Sequence, residues 1–331
     1  MNKAGWSSIL VATLVLVFGV TADGQQPTKV PRIGFLDNST AAGSAGLLEV
    51  FRQELRKLGW IEGKNITIDY RFAENRGADR LRELAADLVR LKVDLIVVTS
   101  APTALAAKDA TNTIPIVMTS AADPVASGLV ISLARPGGNV TGFTAQAVDL
   151  NTKRLEILKD AIPKLARVGL LRQPGGGETG NLQLKELRAA APVLKLKLEE
   201  IETQVDAKGL EGAFQTAKQK QVQGIITLAN RSFFSERKQL VELAIKHKLP
   251  AIYFQREFVD EGGLLSYGPD YAELFRKAAQ YVDRVLKGTK PADLPVQQAM
   301  KFEFIINLKA AKQIGITLPY ELLARANQVI K

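Results

Sequence analysis

Three glycines at a fixed spacing are the first residues whose pattern suggests chemistry. Gly175, Gly177 and Gly180 fit G-x-G-x-x-G within "RQPGGGETG", residues 172–180. The β-like run "ARVGLLR" precedes them, the helix-like run "NLQLKELRAAAPVL" follows, and Glu199, Glu200 and Glu202 lie about twenty residues further on. Such a pattern can place a pyrophosphate on a helix N-terminus and a ribose on an acidic side chain. The register is off, however. In a dinucleotide fold the first glycine follows the strand almost directly, and here Arg172, Gln173 and Pro174 intervene. The competing reading is a flexible glycine turn that lets ligand atoms come close to the backbone. No Gly-Lys-Ser/Thr follows, so the loop is not a P-loop. An NAD-dependent oxidoreductase using Gly175, Gly177 and Gly180 stands as the alternative function.

Other catalytic chemistry is thinly supplied. The chain has one histidine, His247, and no cysteine. His247 lies among lysines at a helix tail, "ELAIKHKLP", where capping or solvation is the plain role. One His and no Cys disfavour nucleophilic triads and a zinc site, and no carboxylate spacing singles out a glycosidase pair. Neither a metal nor a cofactor is expected. The net charge of +10 comes from scattered pairs such as Lys195/Lys197, Lys218/Lys220, Arg237/Lys238 and Lys246/Lys248. They are not interleaved with aromatics that could stack bases, so nucleic acid is not an expected partner.

The elements that must position any site alternate along the chain. Short β-branched runs, "PRIGFL" (31–36), "NITIDYR" (65–71), "VDLIVVT" (93–99), "IPIVMT" (114–119) and "NVTGFT" (139–144), are separated by helical patterns. One helix carries Leu47, Leu48, Phe51, Leu55 and Leu58 on a stripe, another Leu81, Leu84, Leu88 and Leu91. The pattern restarts with "ARVGLLR" (166–172), "KLKLEEIE" (195–202), "VQGIITL" (222–228) and "LPAIYF" (249–254), then "GGLLSYG" (262–268) and a long helix over 270–287. Continuous apolar strands alternating with helices predict α/β lobes, each a doubly wound parallel sheet covered on both faces. The N-terminal lobe is expected over 28–145 plus about 263–291, and the C-terminal lobe over 146–262 plus about 292–331. Hinge segments are expected near 144–149, 258–263 and 290–298.

Ligands of such sheets bind beyond the carboxyl ends of the strands. The loops there hold Asn38-Ser39, Ser100-Ala101-Pro102-Thr103, Asp123 and Thr144 in the first lobe. The second offers Gln173-Pro174-Gly175, Asn230-Arg231 and Gln255-Arg256-Glu257. Several precede helices, whose free N–H groups suit a carboxylate. Arg231 could grip a carboxylate through its fork, and Asp123 and Glu257 could take an ammonium group. Tyr253, Phe254, Phe258 and Tyr267 lie near strand ends, where stacking of one or two on a flat ligand competes with core or hinge packing.

The N-terminus reads as an export signal. Lys3 is followed by twelve uncharged residues, Ile9 to Val20, and then by small residues where a cut is expected at Val20-Thr21-Ala22 or at Ala22-Asp23-Gly24. The run is shorter than the roughly 17–25 residues of a membrane span. Without cysteine the chain carries no lipid through an N-terminal thiol, so a soluble periplasmic protein is expected.

Several longer stretches bear a family likeness. "FRQELRKLGWIEGKNITIDYRFAE", "TIPIVMTSAADPVASGLVISLARPGGNVTGFT" and "GGLLSYGPDYAELFRKAAQYVDRVLKGTKPADLPVQQAMKFEFIINLKAAKQIGITLP" are the main ones. From about Arg32 to Ile330 the chain resembles the tryptophan/tyrosine-type ABC transporter substrate-binding proteins, which have the type I periplasmic-binding-protein fold. The resemblance implies capture of a small solute between hinged lobes and delivery to a membrane permease. It implies pocket roles for Asn38-Ser39, Ser100, Pro102, Thr103, Asp123 and Tyr267. The family's loop after the first strand of the second lobe usually resembles Asn-Pro followed by small polar residues. Here it is Gln173-Pro174 and three glycines. The expected ligand is a small polar carboxylate-bearing solute, an amino acid, with an aromatic one favoured. The expected protein is a monomer, and not an enzyme. A sensor subunit using the same cleft for a membrane signalling partner is a further alternative.

Overall fold

The computed structural model describes residues 29–145, 150–175 and 177–331. The expected signal segment, 1–24, lies outside them, as does most of the expected hinge at 144–149. The chain opens with β1 (Arg32–Asp37), α1 (Ala41–Lys57), β2 (Thr67–Phe72), α2 (Ala78–Arg90), β3 (Leu95–Val98), α3 (Ala101–Ala110), β4 (Ile116–Ala121) and β5 (Val140–Thr144). It continues with α4 (Leu150–Ala161), β6 (Arg167–Arg172), α5 (Gly177–Val193), β7 (Lys197–Glu202), α6 (Ala207–Gln219) and β8 (Gly224–Thr227). Two short helices follow in tandem, α7 (Arg231–Ser235) and α8 (Arg237–Lys246), and then β9 (Ala251–Tyr253) and α9 (Glu257–Asp260). The rest is β10 (Leu265–Pro269), α10 (Tyr271–Leu286), β11 (Gln297–Gln298), β12 (Phe302–Asn307), α11 (Leu308–Ile314), α12 (Tyr320–Ala324) and β13 (Gln328–Ile330).

Two sheets result, and each defines a lobe. The first has the order β11-β5-β4-β3-β1-β2 and is parallel throughout. The second has the order β13-β12-β10-β9-β8-β6-β7. It departs from the expected parallel pattern at β12, which runs antiparallel to β10, and at β13, which follows the direction of β12. β3, β4, β5, β8 and β9 are buried along their whole length, as the absence of charged residues from them predicts. On α1 the stripe Leu47, Leu48, Phe51 and Leu55 is buried beneath a Thr40 cap, whose hydroxyl accepts from Gly43 N at 3.0 Å. Gly34 in β1 leaves room for Leu88 of α2, whose Cδ1 lies 2.9 Å from where a β-carbon would sit.

The chain passes between lobes at places that differ from those expected. "GGLLSYG" does not open the return to the first lobe. As β10 it pairs with β9 in the second sheet, Leu265 beside Ile252 and Ser266 beside Tyr253. Only then does α10 pack on α1 and β4, so the crossing falls at Pro269–Tyr271 and not near 263. The expected return near 292 also moves. β11 still pairs with β5, Gln297 beside Phe143 and Gln298 beside Thr144, so the chain re-enters the second sheet only between β11 and β12. The first shift arises because a strand's apolar run shows that it is buried, but not in which of two sheets; the second arises because β11, with Gln297 and Gln298 exposed, has no apolar run to mark it.

Candidate functional site

In both sheets strand order reverses beside the first strand, between β1 and β3 and between β6 and β8. The loops leaving those four strands face one another. Between them lies a cavity of about 780 Å³, within the size range of small-molecule sites.

In the first lobe each loop is held by its own side chains. Ser100 and Thr103 form a reciprocal cap on α3. Thr103 is thereby consumed: its hydroxyl takes the Thr99 and Ser100 N–H groups at 3.1 and 3.0 Å and donates to Ser100 O at 2.8 Å. Ser100 and Pro102 do face the cavity, with Thr99 and Ser120 beside them. After β1, Asp37 is fully buried. Its Oδ1 accepts from Ser39 N at 2.9 Å, and its Oδ2 accepts from the Ser44 hydroxyl. Ser39 is buried with its hydroxyl against Ser44 at 2.8 Å, while Asn38 reaches the cavity.

In the second lobe Asn230 caps α7, its Oδ1 accepting from Phe233 N at 2.9 Å. The cap brings Arg231 to the seam between the lobes. Arg231 donates from Nη2 to Asp37 Oδ2 at 2.8 Å and from Nε to Asp37 Oδ1 at 3.3 Å, a fork across the cleft. The guanidinium lies over the Phe234 ring at 4.7 Å and is only 6% exposed. Its Nη1 is buried and has no hydrogen-bond partner. Burial by itself would raise the Asp37 pKa. The adjacent Arg231 charge and the bonds from Arg231, Ser39 and Ser44 outweigh it and hold Asp37 below the ordinary carboxylate range. Asn38 Nδ2 donates to Ser232 Oγ at 3.1 Å and Asn75 Nδ2 to Ser235 Oγ at 3.0 Å along the same seam.

Of the expected site residues, the structure gathers Asn38, Ser100, Pro102, Gln173, Gly175, Asn230 and Arg231 around the cavity. Others are placed elsewhere. Tyr253 is 1% exposed and stacked on Phe258 at 4.5 Å, in the second lobe's core. Tyr267 packs its ring on Phe304. Asp123 caps the turn after β4, its Oδ1 accepting from Ala126 N at 3.0 Å. Thr144 is buried in β5 beside Gln298, and Glu257 opens α9 outside the cavity lining. Burial raises the Glu257 pKa despite the Arg231 and Arg237 charges near it.

Sequence reasoning missed other lining residues. In "SYGPDY" it chose the first tyrosine, whereas Tyr271, just past the crossing, is the one facing the cavity. Burial pushes the Tyr271 hydroxyl up to about 12, against the pull of Arg154 and Arg231. Its place as the first residue of α10 after Asp270, an N-cap residue, is the signal that could have found it. Gln183 also lines the cavity, and so does Phe254, one of the four aromatics expected near strand ends. Gln183 bonds both ways to Ala229, its Oε1 accepting at 2.8 Å and its Nε2 donating at 3.2 Å. A buried glutamine on a helix stripe of small and apolar residues was the available clue.

The glycine loop is open. Gly175 and Gly177 have φ of +65° and +64°, and no atom lies within 4 Å of a β-carbon built on either. The acidic residues that a dinucleotide site would need are engaged elsewhere. Glu199 pairs with Lys197 at 2.7 Å, Glu200 with Arg188 at 2.7 Å, and Glu202 with Arg172 at 2.7 Å. Among the described residues no cluster of potential metal ligands occurs, and no helix is long and apolar enough to cross a membrane.

The chain is similar to known proteins in sequence and in fold. Residues 43–330 match the family described as ABC transporter substrate binding protein. The chain is 31% identical over 266 residues to a tyrosine-binding protein of Clostridioides difficile (strain R20291), covering 80% of this chain and 75% of that one. Among solved structures, the ABC domain in complex with L-Trp from Streptococcus pneumonia matches with a TM-score of 0.79 at 26% identity, over 91% of this chain and 99% of that one. A ligand-free, open substrate binding protein with adhesive properties from Clostridium difficile matches with a TM-score of 0.62 at 27% identity and the same coverage.

Proposed function

Because the chain belongs to the ABC transporter substrate-binding protein family, we propose that it captures one small amino acid, an aromatic one favoured, in the cavity between its lobes. It holds that solute without transforming it and presents it to a membrane permease. The observation that carries the reading is the unpartnered, buried Nη1 of Arg231 in the cavity wall. A guanidinium N–H out of water is costly to leave unmatched, and a ligand carboxylate oxygen supplies the match. Phe254 and Tyr271 offer ring surface for a flat side chain. The relatives' tyrosine and L-Trp fit the same size and chemistry.

The present lobe setting is the closed one. Two relatives of near-equal identity and coverage score 0.79 with L-Trp bound and 0.62 when ligand-free and open. A rotation between lobes lowers such a score without altering either lobe. The cross-lobe bonds of Asp37, Asn38 and Asn75 are the contacts that closure makes. Export through a cleaved segment over residues 1–24, a periplasmic location without a lipid anchor, and a monomeric state complete the reading.

Thermal denaturation of the purified chain against the amino acids and NAD tests it. At about a hundred times Kd the right amino acid adds about 2.7 kcal/mol, which is a rise of about 5 °C in a chain of this size. Arg231→Gln is expected to abolish that rise. A rise with NAD and none with any amino acid would overturn the proposal.

A further inference from the structure

Arg231 cannot hold both its clasp and a ligand unless something in the other lobe fixes its plane. The fork leaves it one orientation. Nε and Nη2 both point at Asp37, and Nη2 also reaches Ser44 Oγ at 2.9 Å. Phe234 covers one face of the plane, and the buried Nη1 is the guanidinium nitrogen left without a partner. Asp37 is equally committed. Its four contacts come from Ser39, Ser44 and twice from Arg231, and 194 residues of chain separate it from its arginine. Asp37 and Ser44 travel with the first lobe, Arg231 with the second.

Resting on the reading above, we infer that Asp37, assisted by Ser44, is a positioning residue that aims the free N–H of Arg231 at the ligand only when the lobes are closed. The consequence is thermodynamic. A ligand shifts an opening equilibrium only by binding one state better than the other. With the lobes apart, Arg231 regains its side-chain rotamers and the ligand meets an unaimed guanidinium. With the lobes together, the same group is pre-oriented, so the bond to the ligand is made at full strength in the closed form alone. Stability is a poor account of this pair, since a buried ion pair rarely repays its own desolvation. A fixed orientation is what a fork supplies beyond mere charge.

The test compares Asp37→Asn and Ser44→Ala with Asp69→Asn. Asp69 forms a fork of its own with Arg32, at 2.5 and 3.0 Å, wholly inside the first lobe. Calorimetric titration with L-tyrosine and L-tryptophan is read beside X-ray scattering of each protein with and without the amino acid. Asp37→Asn is expected to weaken binding at least tenfold, mainly through faster release, and to enlarge the ligand-free radius of gyration. Saturating ligand should restore the compact value. Ser44→Ala should do the same to a lesser degree, and Asp69→Asn should change neither readout. Unchanged affinity and scattering in Asp37→Asn and Ser44→Ala would overturn the inference. So would a fall in melting temperature with affinity intact, because that is what a purely structural pair produces. If the unaltered chain binds no amino acid, the proposed ligand class fails. The scattering comparison then still decides the clasp, by whether Asp37→Asn is more open than the parent.

Discussion

Each lobe leaves its first strand through a short loop into a helix, and the two loops are built on opposite terms. The one after β1 is tied at every residue. Asp37 and Ser39 are buried, Thr40 caps α1, and Asn38 crosses to Ser232. The one after β6 has almost no ties. Gln173, Pro174 and Gly175 line the cavity, and Gly175 and Gly177 take left-handed backbone with no atom within 4 Å of a β-carbon built on either. Equivalent positions in two similar lobes thus perform different tasks. The first loop locks the seam, and the second leaves room for whatever the seam encloses. A G-x-G-x-x-G pattern in the second loop need not mean phosphate chemistry, since the backbone freedom that admits a pyrophosphate also serves a loop that is simply left open.

The contrast can be broken most forcefully at Gly43. It lies in the first turn of α1, and a β-carbon there would sit 2.7 Å from Ser235 Cβ and 3.0 Å from Ser235 Cα in the other lobe. Inside the first lobe alone, Gly43→Ala should help, because alanine favours a helix over glycine by up to about 1 kcal/mol. Across the seam it is a wedge. The expected outcome is a melting temperature for the ligand-free chain that holds or rises, with amino-acid affinity down at least tenfold in calorimetry. Unchanged affinity would show that the seam yields, and the locked reading of the first loop would fail.

Gly175→Ala probes the open loop and should do less. The left-handed φ of +65° strains any L side chain by about 1 kcal/mol, but no neighbour is struck. A fall of about 2–4 °C in melting temperature is expected, with Kd changed less than about threefold. Loss of binding would mean that a ligand lies against the Gly175 backbone, which would sharpen the account of this loop from open space to contact surface.

How much of this was legible before the fold was seen depends on the range of the interaction concerned. Strands such as Leu95–Val98 and Ala251–Tyr253 announce themselves by unbroken apolar runs, because both of their faces are covered. β11 does not, since Gln297 and Gln298 are exposed and owe their pairing to the neighbouring β5. Loop positions followed from the rule that ligands gather at the carboxyl ends of strands, and Ser100, Gln173 and Asn230 duly line the cavity. The uses of Asp37 and Thr103 were not legible from residue type. Thr103 spends its hydroxyl on its own helix end, and Asp37 needs a partner in the other lobe. Choosing Tyr271 over Tyr267 required knowing on which side of the crossing each one falls.

Acidity separates the seam from its surroundings by the smallest effect, and the sign follows from two carboxylates. Asp37 is held below its ordinary value, which is near 3.9 in an unfolded chain. A depressed carboxylate contributes its stability above the unfolded pKa and loses it as pH falls through the folded one. The clasp should therefore be constant at neutral and mildly acidic pH and weaken only below about pH 4. Glu257 is shifted the other way by burial. Its neutral form is the favoured one, so its contribution is best below the unfolded value, near 4.3, and declines as pH climbs through its raised folded pKa. A melting temperature that falls slightly as pH climbs through that interval belongs to Glu257 together with Glu236, whose carboxyl burial also raises, and Glu257→Gln should reduce it. Amino-acid affinity in Glu257→Gln should then be flat from about pH 5 to 8, as a seam locked by an already ionised Asp37 requires. Affinity in that variant that still changed between pH 5 and 8 would mean that some other titrating group holds the lobes together.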